Sequence, residues 1–202
     1  MPFGSHLALP WVPASTDAAA RVDEALAEIW HISDHHLGHA NILKFTGEDG
    51  LPARAGFKDL EHMHAVLVER HNALVGANDK VYFHGDVAWK AATLERILPL
   101  MNGKKRLILG NHDNLDLELY QRHFKKVVAW RQFVHDDCTL VCTHFPLHQG
   151  AFAGRYRRTC LNVHGHTHAR TIEDPRYANV SVEVIDYTPV HHDVLLEKAR
   201  RL

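Results

Sequence analysis

Histidine is the compositional outlier of this chain, with 19 among 202 residues. What those imidazoles can do depends on their neighbours. In chain order, Asp34 with His36, Asp86, Asn111 with His112, His144, and His166 with His168 offer carboxylate, amide oxygen and imidazole donors, with no thiolate among them. That mixture suits borderline transition ions such as manganese, iron, zinc or nickel, whereas calcium or magnesium would call for shells made almost wholly of oxygen. Two ions about 3.5–4 Å apart need a ligand in common, and a carboxylate with two oxygens is the natural bridge. Asp86 is the candidate. In extended backbone, side chains i and i+2 point the same way, so Asp34 and His36 are expected to converge, as are His166 and His168. Gly85, Gly110 and Gly165 each stand directly before a candidate ligand, where a strand must turn sharply or let another backbone come close.

These donors need a frame that brings distant segments together. Short apolar runs read as strands at 28–33, 80–84, 106–109, 140–143, 161–163 and 180–185, and all but the last end in a polar group able to bind metal. Between them lie helical patterns. Asp59 can cap a helix whose Leu60, Met63, Leu67 and Leu74 share a face, with Gly76 as its end. A second helix is expected from Ala91 to Met101, stopped by Asn102-Gly103 and disturbed by Pro99, and a third from Leu115 to Phe124. Strands that alternate with helices early and follow one another closely later predict an α/β architecture with a sheet partly parallel and partly antiparallel. In such folds ligands gather beyond the carboxyl ends of strands. Residues 1–27 read as an irregular lead-in with a short helix capped by Thr16 or Asp17, and 28–202 as one domain.

Composition narrows the partners. Lys and Arg number 23 against 24 Asp and Glu, so no global field draws a polyanion or a membrane surface. No apolar stretch approaches the roughly 20 residues that span a bilayer. The first residues lack a basic segment and are broken by Pro2, Pro10 and Pro13, unlike a secretory signal, so a cytoplasmic location is expected. Cys138, Cys142 and Cys160 suit neither a disulfide framework nor a thiolate site and read as reduced, mostly buried thiols. His35, His62, His64, His71 and His123 read as ordinary surface or half-buried residues. His39 is a candidate for the substrate side of the site and His84 for a place behind the ligands, with a structural role as the equal alternative for both, and Trp89 is read as core, with a pocket wall as the alternative.

The order Asp34-His35-His36, Gly85-Asp86, Gly110-Asn111-His112-Asp113, His144 and Gly165-His166-Thr167-His168 resembles the calcineurin-like metallophosphoesterase family. The resemblance covers roughly residues 28–170, and the stretch Ser33 to His39 is similar to the small bacterial and phage-type branch. It implies a four-layer α/β/β/α sandwich with mixed sheets. It further implies that Asp34, His36 and His168 hold one divalent ion, that Asn111, His144 and His166 hold the other, and that Asp86 bridges. Manganese is the first candidate. A metal-bound hydroxide would attack phosphorus, with His112 as general acid at the leaving group and Asp113 orienting it.

One departure bears on the substrate. Larger relatives continue the second motif as Gly-Asp-x-x-Asp-Arg, whereas this chain has Trp89 and Lys90 at the last two positions. The carboxylate partner of the catalytic histidine and a phosphate-gripping arginine are both missing, which counts against protein phosphatase activity. His39, Arg155 and Arg158, with Tyr156, Arg157 and Arg54 as further members, are the candidate substrate contacts, a solvated loop being the leading alternative for the basic cluster. Phosphomonoesters or phosphodiesters, small phosphorylated or cyclic nucleotides foremost, are the expected substrates, and single-stranded nucleic acid is the runner-up. A non-catalytic scaffold of this fold is the other alternative; it would have shed ligands that this chain retains.

Overall fold

The computed structural model of the protein describes residues 27–47, 50, 52–152 and 159–202. The expected helix after Thr16 and the cluster Arg155, Tyr156, Arg157 and Arg158 lie outside these residues.

Two sheets face one another. The first is formed by β1 (Ile29–Ile32), β2 (Lys80–Phe83), β3 (Lys104–Ile108), β4 (Lys126–Val128) and β9 (Val190–His191), in the order β4-β3-β2-β1-β9. Strands β1 to β4 are parallel and β9 runs antiparallel to β1. The second sheet, ordered β5-β6-β7-β8, is built from β5 (Arg131–Val134), β6 (Cys138–Cys142), β7 (Thr159–His164) and β8 (Tyr177–Asn179). Here β6, β7 and β8 are parallel and β5 is antiparallel to β6.

Alternation along each strand decides which core a side chain joins. Val81, Phe83 and Leu107 pack toward α1 (Leu60–Leu74) and α2 (Ala91–Ile97), whereas Tyr82 and Ile108 pack with Leu140, Cys142, Leu161 and Val163 of the opposing sheet. The C-terminal α5 (His192–Arg200) closes that inter-sheet core with Leu195, Leu196 and Ala199. The protein is thus an α/β sandwich of two mixed sheets. Its outermost layer, over the far face of the second sheet, consists among the described residues of the single turn α4 (Gln149–Phe152).

Asp59 caps α1 as expected, its carboxylate accepting the His62 amide at 2.8 Å. The buried face differs, however. Met63, Leu67 and His71 line it with His64, and Leu74 is 45% exposed. Three histidines expected at the surface or half-buried, His35, His64 and His71, are in fact fully buried. Each finds a neutral role: His64 Nε2 accepts the Gly38 amide, His71 Nε2 lies 3.0 Å from the Asn102 carbonyl, and His35 packs on Phe83. Burial holds the His35 ring down to about 3, so it stays uncharged in the core.

Pro99 shortens the second helix. The α-helix ends at Ile97 and tightens to a 3-10 turn over Leu98–Leu100, because proline has no N–H for the helical ladder. The helix expected at 115–124 is α3 (Leu117–His123), capped by Asp116. The run 180–185 is not a strand. Val180 and Val182 are buried there because the chain crosses between the sheets: Ser33 donates to the Val180 carbonyl and the Val182 amide donates to Ser33. That crossing, rather than strand pairing, produces the alternation, and left-handed Asp186 and Tyr187 then turn the chain. Strands β4, β5, β8 and β9 and helix α5 have no counterpart in the sequence expectations. No described helix is long and apolar enough to cross a membrane.

Candidate metal centre

All the parallel strands that precede candidate ligands end at one edge of the sandwich. Asp34 and His36 follow β1, Asp86 follows β2, Asn111 follows β3, His144 follows β6, and His166 and His168 follow β7. Backbone bonds continue past the strands and lock these ends together. The Asp34 amide donates to the Gly85 carbonyl at 3.1 Å, that of His36 to Asp86 at 2.9 Å, and that of Gly165 to His144 at 2.9 Å. The glycines are there for space. A Cβ on Gly110 would collide with Asp86 Oδ1, and one on Gly165 with Ser33 Oγ and with Asp34 Oδ2.

The local backbone is not the extended one expected from the i, i+2 spacing. Asp34, His36, Asp86, His166 and His168 all have positive φ, between 50° and 69°. Among the described residues only Asp186 and Tyr187 share this among non-glycines. Left-handed backbone costs about 1–3 kcal/mol at a non-glycine residue and persists only where the surroundings over-determine it. Five such residues in one place are a concentration of strain with a chemical product, the convergence of their side chains.

Two donor groups result. Asp34, His36 and His168 form one, and Asp86, His144 and His166 the other, the ligand atoms within each group lying within 4.8 Å of one another. Asn111 Oδ1 is 2.9 Å from His144 Nε2, joining the second. Asp86 faces both ways: Oδ2 is 3.5 Å from His36 Nε2, and Oδ1 is 3.6 Å from His144 Nε2.

The donor set fits divalent cations on a structural criterion. Asp34 Oδ1 and His36 Nε2 are buried with no hydrogen-bond partner, a costly arrangement unless a cation takes up their lone pairs. Burial, with the Arg54 charge second, keeps the His36 imidazole far below its usual range. Burial also depresses His166. Neutral rings are the metal-binding form. Burial pushes the Asp86 carboxyl up, and the charge of Asp34 adds to the effect, although the His144 ring and the His112 amide pull the other way.

The ligands are held from behind by groups of which the sequence gives little sign. Glu183 Oε1 accepts His168 Nδ1 at 2.9 Å and pairs with Arg54 at 2.8 Å. Arg54, expected on the substrate, is 1% exposed and spends its remaining donors on the carbonyls of Asp34 and His35. Burial would raise the Glu183 carboxyl, but the Arg54 charge and the His168 bond hold it down to about 2. Burial likewise opposes charge on His168, and the bond to Glu183 raises it nonetheless. In the second group, His144 Nδ1 lies 2.7 Å from the backbone carbonyl of His84, whereas the His84 ring bonds His31 and the Thr143 carbonyl in the core. Such outer partners fix ring orientation and basicity.

Glu183→Gln is therefore expected to weaken metal binding at the Asp34–His36–His168 group by 10–100-fold, as read by chelator-competition titration. It is also expected to cost about 3 kcal/mol in chelator by leaving Arg54 buried and unpaired. Parental affinity in this variant would mean that Glu183 does not orient His168.

Asp113 serves the loop rather than the His112 ring. Its oxygens accept the amides of Gly110 at 2.8 Å, Asp86 at 2.8 Å and Val87 at 3.0 Å, setting the turn that carries Asp86. His112 lies outside both donor groups, with its ring 5.6 Å from that of His36 and its amide donating to Asp86 Oδ1 at 2.9 Å. Trp89, expected in the core, is 42% exposed, with its ring 5.0 Å from His112 and stacked on His39 at 4.1 Å. An indole therefore lies beside His112. His39 is thus at the site, while Arg155 and Arg158 lie outside the described residues. A third cluster, His31, His84 and Cys142, sits in the inter-sheet core. His31 Nδ1 and His84 Nε2 are bonded to each other at 2.9 Å, so these nitrogens are already satisfied without an ion. All three cysteines are free.

No family model matches the chain. It is 28% identical over 183 residues to the uncharacterized protein MJ1445 of Methanocaldococcus jannaschii, spanning 86% of this chain and 92% of that one. It is 29% identical over 191 residues to the gene 66 protein of Mycobacterium phage D29, with 78% and 89% covered. Among solved structures, the protein of unknown function AQ665 from Aquifex aeolicus superimposes with a TM-score of 0.66 and 23% identity, covering 85% of this chain and 98% of that one. This last likeness is one of fold.

Proposed function

We propose that this protein is a metal-dependent phosphoesterase working through two divalent ions. Asp34, His36 and His168 hold one ion, Asn111, His144 and His166 the other, and Asp86 lies between. The observation that carries the reading is the Asp86 carboxylate, which turns one oxygen to His36 and the other to His144. When bound, such a pair of ions lowers the pKa of water toward neutrality and offsets charge on phosphoryl oxygens.

The residues of the chain do the rest. Imidazoles and carboxylates on strained turns keep the donors in place without reorganisation, which is where electrostatic catalysis gains most. His112, free of both donor groups and beside the His36 ring, gives a proton to the leaving-group oxygen. Asp113 holds Asp86 in position through its bonds to the amides of Asp86 and Val87. Manganese is the favoured ion on the resemblance of the motifs, with iron, zinc and nickel next, and the mixture of imidazole nitrogen with carboxylate and amide oxygen suits borderline ions of this group.

The test is an assay of metal-stripped protein on 4-nitrophenyl phosphate and bis(4-nitrophenyl) phosphate after reloading with Mn, Fe, Zn or Ni. Hydrolysis that returns with at least one ion and vanishes with chelator is the expected outcome. Failure with every ion, despite measured uptake of two equivalents, would overturn the proposal.

A further inference from the structure

Two recesses border the centre, one beside each donor group. Beside the first group, a recess of about 370 Å³ is lined by His168 itself and by Ile42, Phe45 and Ala53. Beside the second, a recess of about 490 Å³ is lined by Trp130, Val141, Phe145 and Leu147. Each is within the size range of small-molecule sites. The two are tied to different donor groups. His168 belongs to the first group and forms part of the first wall. The Phe145 ring lies 4.9 Å from that of His144 and 4.6 Å from that of His166, both of the second group.

Both recesses present aromatic rings to solvent. Phe45 is 51% exposed, Phe145 46% and Trp130 56%. Exposed aromatics next to a polar centre are the means by which proteins bind flat rings, since a base or aryl ring stacks on them whatever its edge pattern. A phosphomonoester has one organic substituent and could fill only one recess. A phosphodiester has two, borne on separate ester oxygens of the one phosphorus.

Resting on the phosphoesterase reading above, we infer that the substrate is a phosphodiester carrying a flat ring on each side, of the kind found where one phosphate joins two nucleosides. One substituent lies against Phe45 and the other against Phe145, with the phosphate over the donor groups between them. Hydrolysis breaks one P–O bond, with the water oxygen becoming part of the phosphomonoester product and a proton passing to the departing alkoxide.

The experiment compares kcat/KM of the manganese-loaded protein on a dinucleoside monophosphate and on the matching mononucleotide, and on bis(4-nitrophenyl) phosphate against 4-nitrophenyl phosphate. The diester is expected to be preferred in both pairs. Phe45→Ala and Phe145→Ala are each expected to lower the diester-to-monoester ratio about tenfold, mostly through KM, as loss of one stacked ring implies. The double variant is expected to lose about 100-fold, because separate sites add. Phe45→Tyr and Phe145→Tyr should keep the parental ratio, which a folding defect at either position would not allow. Monoester preference, or an unchanged ratio in both alanine variants, would overturn this inference while leaving the phosphoesterase reading intact. Loss of hydrolysis of every ester in the fully loaded parent would overturn both.

Discussion

Asp86→Asn is expected to lower the occupancy of both ions together and to reduce turnover by at least about 10³-fold. The substitution keeps the shape of the side chain and the oxygen that accepts the His112 amide. It removes the negative charge and one of the two oxygens that face His36 and His144. The lost charge is shared by both cations and so weakens both sites, and losing a preorganised electrostatic group of this kind costs 10²–10³ even where the rest of the site stays assembled. Metal content per chain, measured after equilibration with limiting manganese, gives a readout independent of activity. Loss of one ion only would refute the bridge.

The same variant makes an unusual stability prediction. Burial disfavours the Asp86 carboxylate in the folded protein and raises its pKa. A group with a raised carboxyl pKa weakens the fold as pH climbs through that value, because the charged form is the one penalised. Without metal, then, Asn at this position should leave the protein at least as resistant to urea at neutral pH as the parent. The parent should regain the advantage when manganese is added.

His112→Ala is expected to cut turnover by about 10²–10⁴-fold, the usual worth of a general acid, while leaving two ions bound. The separation follows from position. The ring is absent from both donor groups, and what His112 contributes to Asp86 is a backbone amide, which alanine retains. If the variant were as active as the parent, the proton-donor role would be wrong. If it lost metal instead, His112 would be a ligand. Trp89, stacked on His39, is the aromatic side chain close to His112. Its apolar face holds the ring by packing, without a charge.

Much of the centre is legible in the chain because its motifs are local. Asp34 to His36, Gly85-Asp86, Gly110-Asn111-His112 and Gly165-His166-Thr167-His168 each follow a short apolar strand, and parallel strands bring their carboxyl ends to one edge. Glycines could be assigned to close approaches for the same reason, since the collision that a Cβ at Gly110 would suffer is with the Asp86 side chain of the adjacent turn. The sequence by itself thus determined the donor inventory, the α/β class and the end of the sheet at which the donors meet.

Tertiary structure decided the rest. Arg54 and Glu183 are 129 residues apart, and no periodicity connects them, yet their pairing turns an expected phosphate contact into a buried support for His168. Whether His71 lies on a surface or in a core depends on what packs over it, and its sequence neighbours do not carry that information. The left-handed backbone at Asp34, His36, Asp86, His166 and His168 is disfavoured residue by residue. It exists because interlocked turns from both sheets leave no other path, and strain imposed by distant contacts has no signature in any one segment of the chain.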